Sequence, residues 1–366
     1  MKLSALPFHI GATEQAANPG GLPNVYPFEL IFNPRQGMLG QPAYSELEKV
    51  LLDAYAVGQS FGTPLAEDKF GKPYAEDFLD FIQEAQQTVG RGLEIGAGVG
   101  YLTRRLMDEG WDMTSLEPGR GYEPFWSSYG VKVLREFFPT QQAPGPYRLV
   151  CSYGVLEHVS DPLSFLEAIK NHLEPDGKAI ISVPDCTDEI GAGDPSILFH
   201  EHFSYFDAGS LTRLIKLAGM SVKVMKSRFG RCLYAVACVG DVDTVGGEEG
   251  LAPALVASYP ERCSHFIERV RSQLSTMLST GTVGVYCAAR GLALLDPAQP
   301  MRFFDDDPAQ QGKFLPPFPQ TVASRDDLLA APVDHLVIMS RTFGGRIRND
   351  LRQQGYRGSI VALDEM

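Results

Sequence analysis

Runs of basic residues are missing from this sequence. Its 32 Lys and Arg stand against 45 Asp and Glu, a formal net charge of −13. A duplex-binding surface needs a basic stripe to neutralise phosphates, so nucleic acid is not expected as a partner. Long hydrophobic runs are missing too. No window approaches the ~18 apolar residues of a membrane span. The first twenty residues, MKLSALPFHIGATEQAANPG, hold no apolar stretch of signal-peptide length. A membrane partner is therefore not expected. Paired cysteines are also absent. Cys151, Cys186, Cys232, Cys238, Cys263 and Cys287 are scattered, with no Cys-x-x-Cys spacing. That argues against a disulfide framework or a cysteine metal site and reads as the reduced thiols of a cytoplasmic protein.

What is present is ordinary globular material: 44% hydrophobic and 21% charged residues over 366 positions. A single core stops growing near ~250–300 residues, so more than one domain is expected. Residues 1–84 read as an extended lead-in followed by a helical cap, with apolar residues at helical spacing over 43–57 and 74–88. From residue 91 short apolar runs alternate with helical patterns, which predicts an α/β fold with a parallel, doubly wound, Rossmann-like sheet over 85–240. The run VKVLREFF is expected to be its third strand. Two strand-like runs within 220–240 suggest an antiparallel hairpin at the sheet edge. The polar, glycine-rich stretch 241–250 reads as a linker, and 241–366 as a second, smaller Rossmann-like unit.

The segment Leu93-Glu94-Ile95-Gly96-Ala97-Gly98-Val99-Gly100 falls on a strand-to-helix turn. That is where an open α/β sheet binds ligands. Gly96 and Gly98 can take positive φ and let a ligand approach the backbone, and Gly100 allows close packing of the next helix. The spacing is not that of a dinucleotide loop, because the third glycine follows the second by two residues rather than three. Glu94 would repel a pyrophosphate and suit an amine-bearing cation. Glu117, in Leu116-Glu117-Pro118-Gly119, ends the next strand, where an acid can accept both hydroxyls of an unphosphorylated ribose. Phe137 is a candidate to flank an adenine ring. Ser152 and Tyr153 end the fourth strand, beside such a ligand.

The ordered pieces LEIGAGVGYLT, LEPG, VLEHVSDPLSFL and LEPDGKAIISVPD resemble the class I S-adenosylmethionine-dependent methyltransferases over roughly residues 85–240. The resemblance implies S-adenosyl-L-methionine as cofactor, held by Glu94, Gly96, Ala97, Gly98, Gly100, Glu117, Pro118, Phe137, Ser152 and Tyr153. His158 opens the turn in LEHV and either organises it or touches substrate.

The stretch Phe199-His200-Glu201-His202-Phe203 packs two histidines and a carboxylate together. Histidine titrates near neutral pH and suits removal of a proton from a methyl acceptor. No third metal ligand stands nearby in the sequence, so no metal is expected. With the tail FDDDPAQQGKFLPPF, this stretch resembles the sugar C-methyltransferases that act on nucleotide-linked deoxy-ketosugars. That narrower resemblance implies His202 as the base, His200 as its alternative and Glu201 beside them. It also implies a small-molecule acceptor, with a nucleotide-sugar the leading candidate, and a monomer or homodimer. Three features depart from that family: no cysteine-rich zinc module at the start, Phe199 where the family has tyrosine, and Cys287-Ala288-Ala289-Arg290 where it has a glycine turn. The alternatives are an O- or N-methyltransferase on another small molecule, a non-catalytic cofactor-binding module, and a nicotinamide oxidoreductase, which the glycine spacing disfavours.

Overall fold

The computed structural model describes residues 1–8, 11–56, 65–66, 71–228, 231–240, 250–340 and 343–366. The expected lead-in contains four short strands: β1 (Lys2–Pro7), β2 (Val25–Glu29), β3 (Ile31–Asn33) and β4 (Met38–Gly40). Helices α1 (Ser45–Ala56) and α2 (Gly71–Ala85) follow. Strands and helices then alternate through β5 (Arg91–Ile95), α3 (Tyr101–Asp108), β6 (Asp112–Leu116), α4 (Glu123–Tyr129), β7 (Tyr147–Tyr153), α5 (Pro162–Asn171) and β8 (Leu173–Pro184). After α6 (Thr187–Ala192) come β9 (Ser204–Tyr205), α7 (Ala208–Leu217) and a hairpin of β10 (Ser221–Lys226) and β11 (Cys232–Cys238). The last stretch carries α8 (Pro253–Thr280), β12 (Val283–Tyr286), β13 (Met301–Phe304), β14 (Val322–Ala323), α9 (Arg325–Ala330), β15 (His335–Ile338), α10 (Gly344–Gln353) and β16 (Ser359–Ala362).

The central sheet has the order β10-β11-β8-β7-β5-β6. Its strands run parallel from β6 to β8, and the hairpin is added antiparallel at the edge. This is the doubly wound α/β sheet read from the sequence. Strand order reverses between β5 and β7, so the crevice for a ligand opens at their carboxyl ends. Both faces are covered, which is why these strands read as nearly continuous apolar runs. On one face Leu93, Ile95, Val150 and Ile181 pack with Leu166 and Ile169 of α5 and with Leu211 and Leu214 of α7. On the other, Leu149, Cys151 and Ile180 pack with Phe78 and Ile82 of α2 and with Leu102 and Leu106 of α3. The helix starts are written locally. The Asp161 carboxylate accepts the Ser164 amide at 3.1 Å, with Pro162 at the first position of α5. Asp207 and Ser210 cap α7 reciprocally.

The third strand is a correction. VKVLREFF contributes one parallel bridge, Leu134 beside Leu116. Leu134 takes the Ser115 carbonyl and gives its own carbonyl to the Glu117 amide, but the Glu136 amide turns back onto the same carbonyl at 3.0 Å. That tight turn carries the chain off the sheet edge after a single pairing.

A second sheet, all parallel, has the order β14-β13-β12-β15-β16. The chain divides into two compact units, residues 1–29, 192–200 and 258–366 in one, and residues 30–191 and 201–257 in the other. Residues 1–29 thus group with the second α/β portion rather than with α1 and α2. Most of the expected linker, 241–249, lies outside the described residues. Among the described residues no helix is long and apolar enough to cross a membrane, and the six cysteines are free.

Candidate active site

The glycine loop leaves β5 and is stitched to the end of β6. The amides of Gly96 and Ala97 both donate to the Leu116 carbonyl, at 2.8 and 2.9 Å. The next free amide, that of Gly98, donates to Glu117 Oε2 at 2.8 Å, and the Gly119 amide donates to Glu117 Oε1 at 2.7 Å. One carboxylate therefore spans both loops. Gly96, Gly98 and Gly100 have φ of 78°, 51° and 83°. A Cβ at Gly96 would collide with Val155, and one at Gly100 would lie 2.7 Å from Val131. At Gly98 a Cβ would meet nothing within 4 Å, so the loop presents open space there. Trp126 of α4 fixes the Gly98 carbonyl through its indole N–H at 2.7 Å.

Glu94 sits inside β5, 3% exposed. The Thr103 hydroxyl of α3 donates to its Oε2, and Ser115 Oγ is 2.7 Å from Thr103 Oγ1. Burial pushes the Glu94 carboxyl up from 4.5 to about 8. Burial also raises Glu117, against the two amides that hold its ionised form. Pro118 follows, half-buried. The Ser152 hydroxyl is buried without a hydrogen-bond partner among the described residues. Tyr153 turns to the opposite face, its ring 5.2 Å from Phe78 and its hydroxyl 3.5 Å from Cys232 Sγ. The Phe137 ring is exposed, whereas Phe138 packs on Phe165 and His172.

A second group of side chains gathers after β7. The Phe203 amide donates to the Glu157 carbonyl at 2.7 Å, and His158 Nδ1 lies 3.1 Å from the Glu201 carbonyl. These two contacts hold the turn 156–158 against residues 201–203. The His158 and His202 rings meet edge to face with centroids 4.9 Å apart. His202 Nε2 is 3.8 Å from Glu201 Oε1, and His158 Nε2 is 3.9 Å from Glu157 Oε1. Burial raises Glu157 to about 8 and Glu201 well above its usual range, and lowers His158 to about 4. His200 is engaged elsewhere: its Nε2 lies 3.0 Å from the Tyr26 carbonyl and its ring packs on Phe8, Tyr26 and Phe28. Residues 200–201 form a turn, so side chains two apart diverge.

Sequence reasoning missed Glu157 as a member of this group and Trp126 and Thr103 as supports of the loop. The adjacent Glu-His pair in the turn after β7 was the available signal for Glu157. Nothing local marks Trp126. A cleft of about 210 Å³ is lined by Met38, Gly40, Gln41, Ser160 and Asp161 and includes no glycine-loop residue.

With this geometry in view, comparison with known proteins gives the following. A family described as "Methyltransferase domain" matches residues 68–223. The C-methyltransferase NovU of Streptomyces niveus is 25% identical over 254 residues, covering 61% of this chain and 60% of that protein. A ubiquinone biosynthesis O-methyltransferase of Aeromonas salmonicida is 28% identical over 155 residues, covering 37% of this chain and 64% of the relative. The chain thus spans less than two thirds of either relative. Among solved structures, the DhpI complex with S-adenosylhomocysteine aligns at 20% identity and a TM-score of 0.41, covering 54% of this chain and 99% of that one.

Gly96→Ala should destabilise the unit by about 1–3 kcal/mol, since it combines positive φ with a collision against Val155. Gly98→Ala has the strained φ but not the collision, so it should cost less. Urea denaturation of both variants checks the order, and equal losses would refute the packing argument.

Proposed function

We propose, on the premise that residues 68–223 of this chain are a class I methyltransferase domain, that the protein moves a methyl group from S-adenosylmethionine to a small polar acceptor. When bound, S-adenosylmethionine supplies an electrophilic methyl group on a sulfonium and departs as S-adenosylhomocysteine. The single observation that carries the reading is the Gly98–Glu117 hydrogen bond. It occupies the loop amide that a phosphate would need, and it leaves each Glu117 oxygen a lone pair for a ribose hydroxyl. This argues against a pyrophosphate-bearing dinucleotide. The open space at Gly98 fits the adenosyl group, and buried Glu94 fits the cationic amino-acid end, directly or through water. We assign Gly96, Ala97, Gly100 and Pro118 to shaping the seat, Phe137 to the adenine edge and Ser152 to the donor side. Tyr153 supports the strand end by packing.

For the acceptor, the reading is C-methylation of a ketosugar linked to a nucleotide. His202 takes the proton alpha to the ketone, Glu201 steadies the resulting imidazolium, and the carbon's electron pair forms the new bond to the methyl group. His200 is the weaker choice because its ring nitrogen already faces Tyr26. Residues 85–240 hold the donor in this reading, and 241–366 serve the acceptor side. One feature favours O- or N-methylation instead: Phe199 stands where the sugar C-methyltransferases have tyrosine. Deuterium exchange at the acceptor's alpha carbon separates the two, because only carbon chemistry needs that proton removed.

Glu117→Ala should weaken S-adenosylhomocysteine binding by about 10-fold or more, the value of one to two charge-assisted hydrogen bonds. Calorimetric titration measures this, and unchanged affinity would sink the ribose assignment. His202→Ala should keep that affinity and slow turnover on the order of 100-fold or more; full rate in the variant removes His202 as base.

The acidity of Glu94 gives a pH signature. Thr103, Ser115, Cys151 and Glu117 face this carboxyl, and none is a cation. Its raised value means that the empty fold favours the neutral acid. That stabilisation is complete below 4.5 and is lost as pH rises through about 8. A cationic ligand needs the ionised form. Donor affinity should therefore rise with pH up to about 8 and then level off, with proton release on binding. Titrations in buffers of different ionisation enthalpy check this, and Glu94→Gln should abolish the slope.

A further inference from the structure

The methyl-transfer reading leaves the side chains of Glu157 and His158 without a task. A backbone carbonyl only accepts hydrogen bonds, so His158 Nδ1, facing the Glu201 carbonyl at 3.1 Å, carries the ring proton. Nε2 then bears a lone pair. It looks across 3.9 Å at Glu157 Oε1. The gap is too long for a hydrogen bond, so the two groups face each other without one. The other Glu157 oxygen is buried without a hydrogen-bond partner, in a residue only 3% exposed. His202 closes the third side. One donor atom from each of Glu157, His158 and His202 lies within 4.8 Å of the other two. Glu201 Oε1 stands 3.8 Å from His202 Nε2 and is placed to become a fourth donor.

We propose that Glu157, His158 and His202 form a binding site for one divalent first-row transition-metal ion. Bonds of about 2.0–2.2 Å to imidazole nitrogen and carboxylate oxygen would draw the three donors together by a fraction of an ångström to an ångström. A mixed set of two imidazoles and one or two carboxylates suits ions of the zinc, cobalt and manganese type. The Glu201 carbonyl supplies the outer hydrogen bond that fixes the tautomer and aims the His158 lone pair, the usual support of a ligating histidine. The sequence expectation of no metal rested on the lack of a third ligand near His202. The fold brings two from a segment over forty residues away.

The proposal goes beyond the methyl-transfer reading and does not depend on it. It bears on that reading at one point: a metal-bound His202 has no lone pair left to take a proton. A filled site would place a Lewis acid where the metal-free protein has a base.

The test uses the full chain, stripped with a chelator and titrated with cobalt(II) alone. Cobalt's visible spectrum reports its ligands. The expected result is one equivalent bound with nitrogen–oxygen d–d bands. Glu157→Gln and His158→Ala should each weaken binding at least ~10-fold, while S-adenosylhomocysteine titration and circular dichroism show that both variants are folded. Absence of a stoichiometric site overturns the proposal. So does thiolate-to-metal charge transfer, which would place the ion on cysteines, or binding that both substitutions leave unchanged. Failure of S-adenosylhomocysteine to bind any form would count against the donor reading and leave the metal isotherm interpretable on its own.

Discussion

Much of the site follows from where the Glu117 carboxylate directs its two oxygens. Oε2 takes the Gly98 amide from the loop after β5, and Oε1 takes the Gly119 amide from the loop after β6. With Gly96 and Ala97 already bonded to the Leu116 carbonyl, three consecutive amides of the glycine loop point at the end of β6. A phosphate-binding loop keeps such amides free for its ligand. Here an acid of the protein occupies the place of the ligand's charge. What remains for a guest is a side-chain-free surface at Gly98 and the spare lone pairs of a carboxylate. Those favour hydroxyls and cations and disfavour anions.

Two further acids are buried where burial is costly. Glu94 inside β5 and Glu157 just after β7 are both held near 8 by loss of solvent. Among the described residues, neither is paired with a lysine or arginine. Glu94 has a hydroxyl, Thr103, and Glu157 faces a histidine that is itself kept neutral. A fold selected only for stability would place apolar groups at both positions. Strongly shifted acids beside a strand-order reversal make these positions candidates for function.

The parts of this arrangement legible in the sequence are those encoded within about ten residues. The glycine loop, the acid after β6, the alternation of strands and helices and the edge hairpin each carry their own periodicity or turn chemistry. The third strand misled because VKVLREFF has the apolar content of a strand, while its pairing is ended by a backbone turn at Leu134 that no residue type announces. Ser152 and Tyr153 were grouped as neighbours of one ligand, yet adjacent residues on a strand face opposite sides. Tyr153 accordingly packs on Phe78. The pairing of His158 with His202, and the grouping of residues 1–29 with the second α/β unit, depend on contacts between distant segments. A single sequence holds no local trace of either.

In the proposed reading, the acceptor side is assembled by a different rule from the donor side. Donor-seat contacts use the functional atoms themselves, since Glu117 is both the structural bridge and the proposed ribose acceptor. Between the 156–158 turn and residues 201–203, by contrast, the fixing bonds run through main-chain atoms: the Phe203 amide to the Glu157 carbonyl, and the Glu201 carbonyl to His158 Nδ1. The Glu157 and Glu201 carboxyl groups are thus carried on a backbone fixed by bonds that do not involve those carboxyls. Methyl transfer draws most of its acceleration from alignment, so such pre-positioned groups can be exchanged for others without disturbing the donor seat. That separation gives a physical reason why one kind of donor domain can serve carbon, oxygen and nitrogen acceptors. In the proposed reading, the identity of the acceptor is written in the few side chains that the backbone holds in place at 157–158 and 201–202.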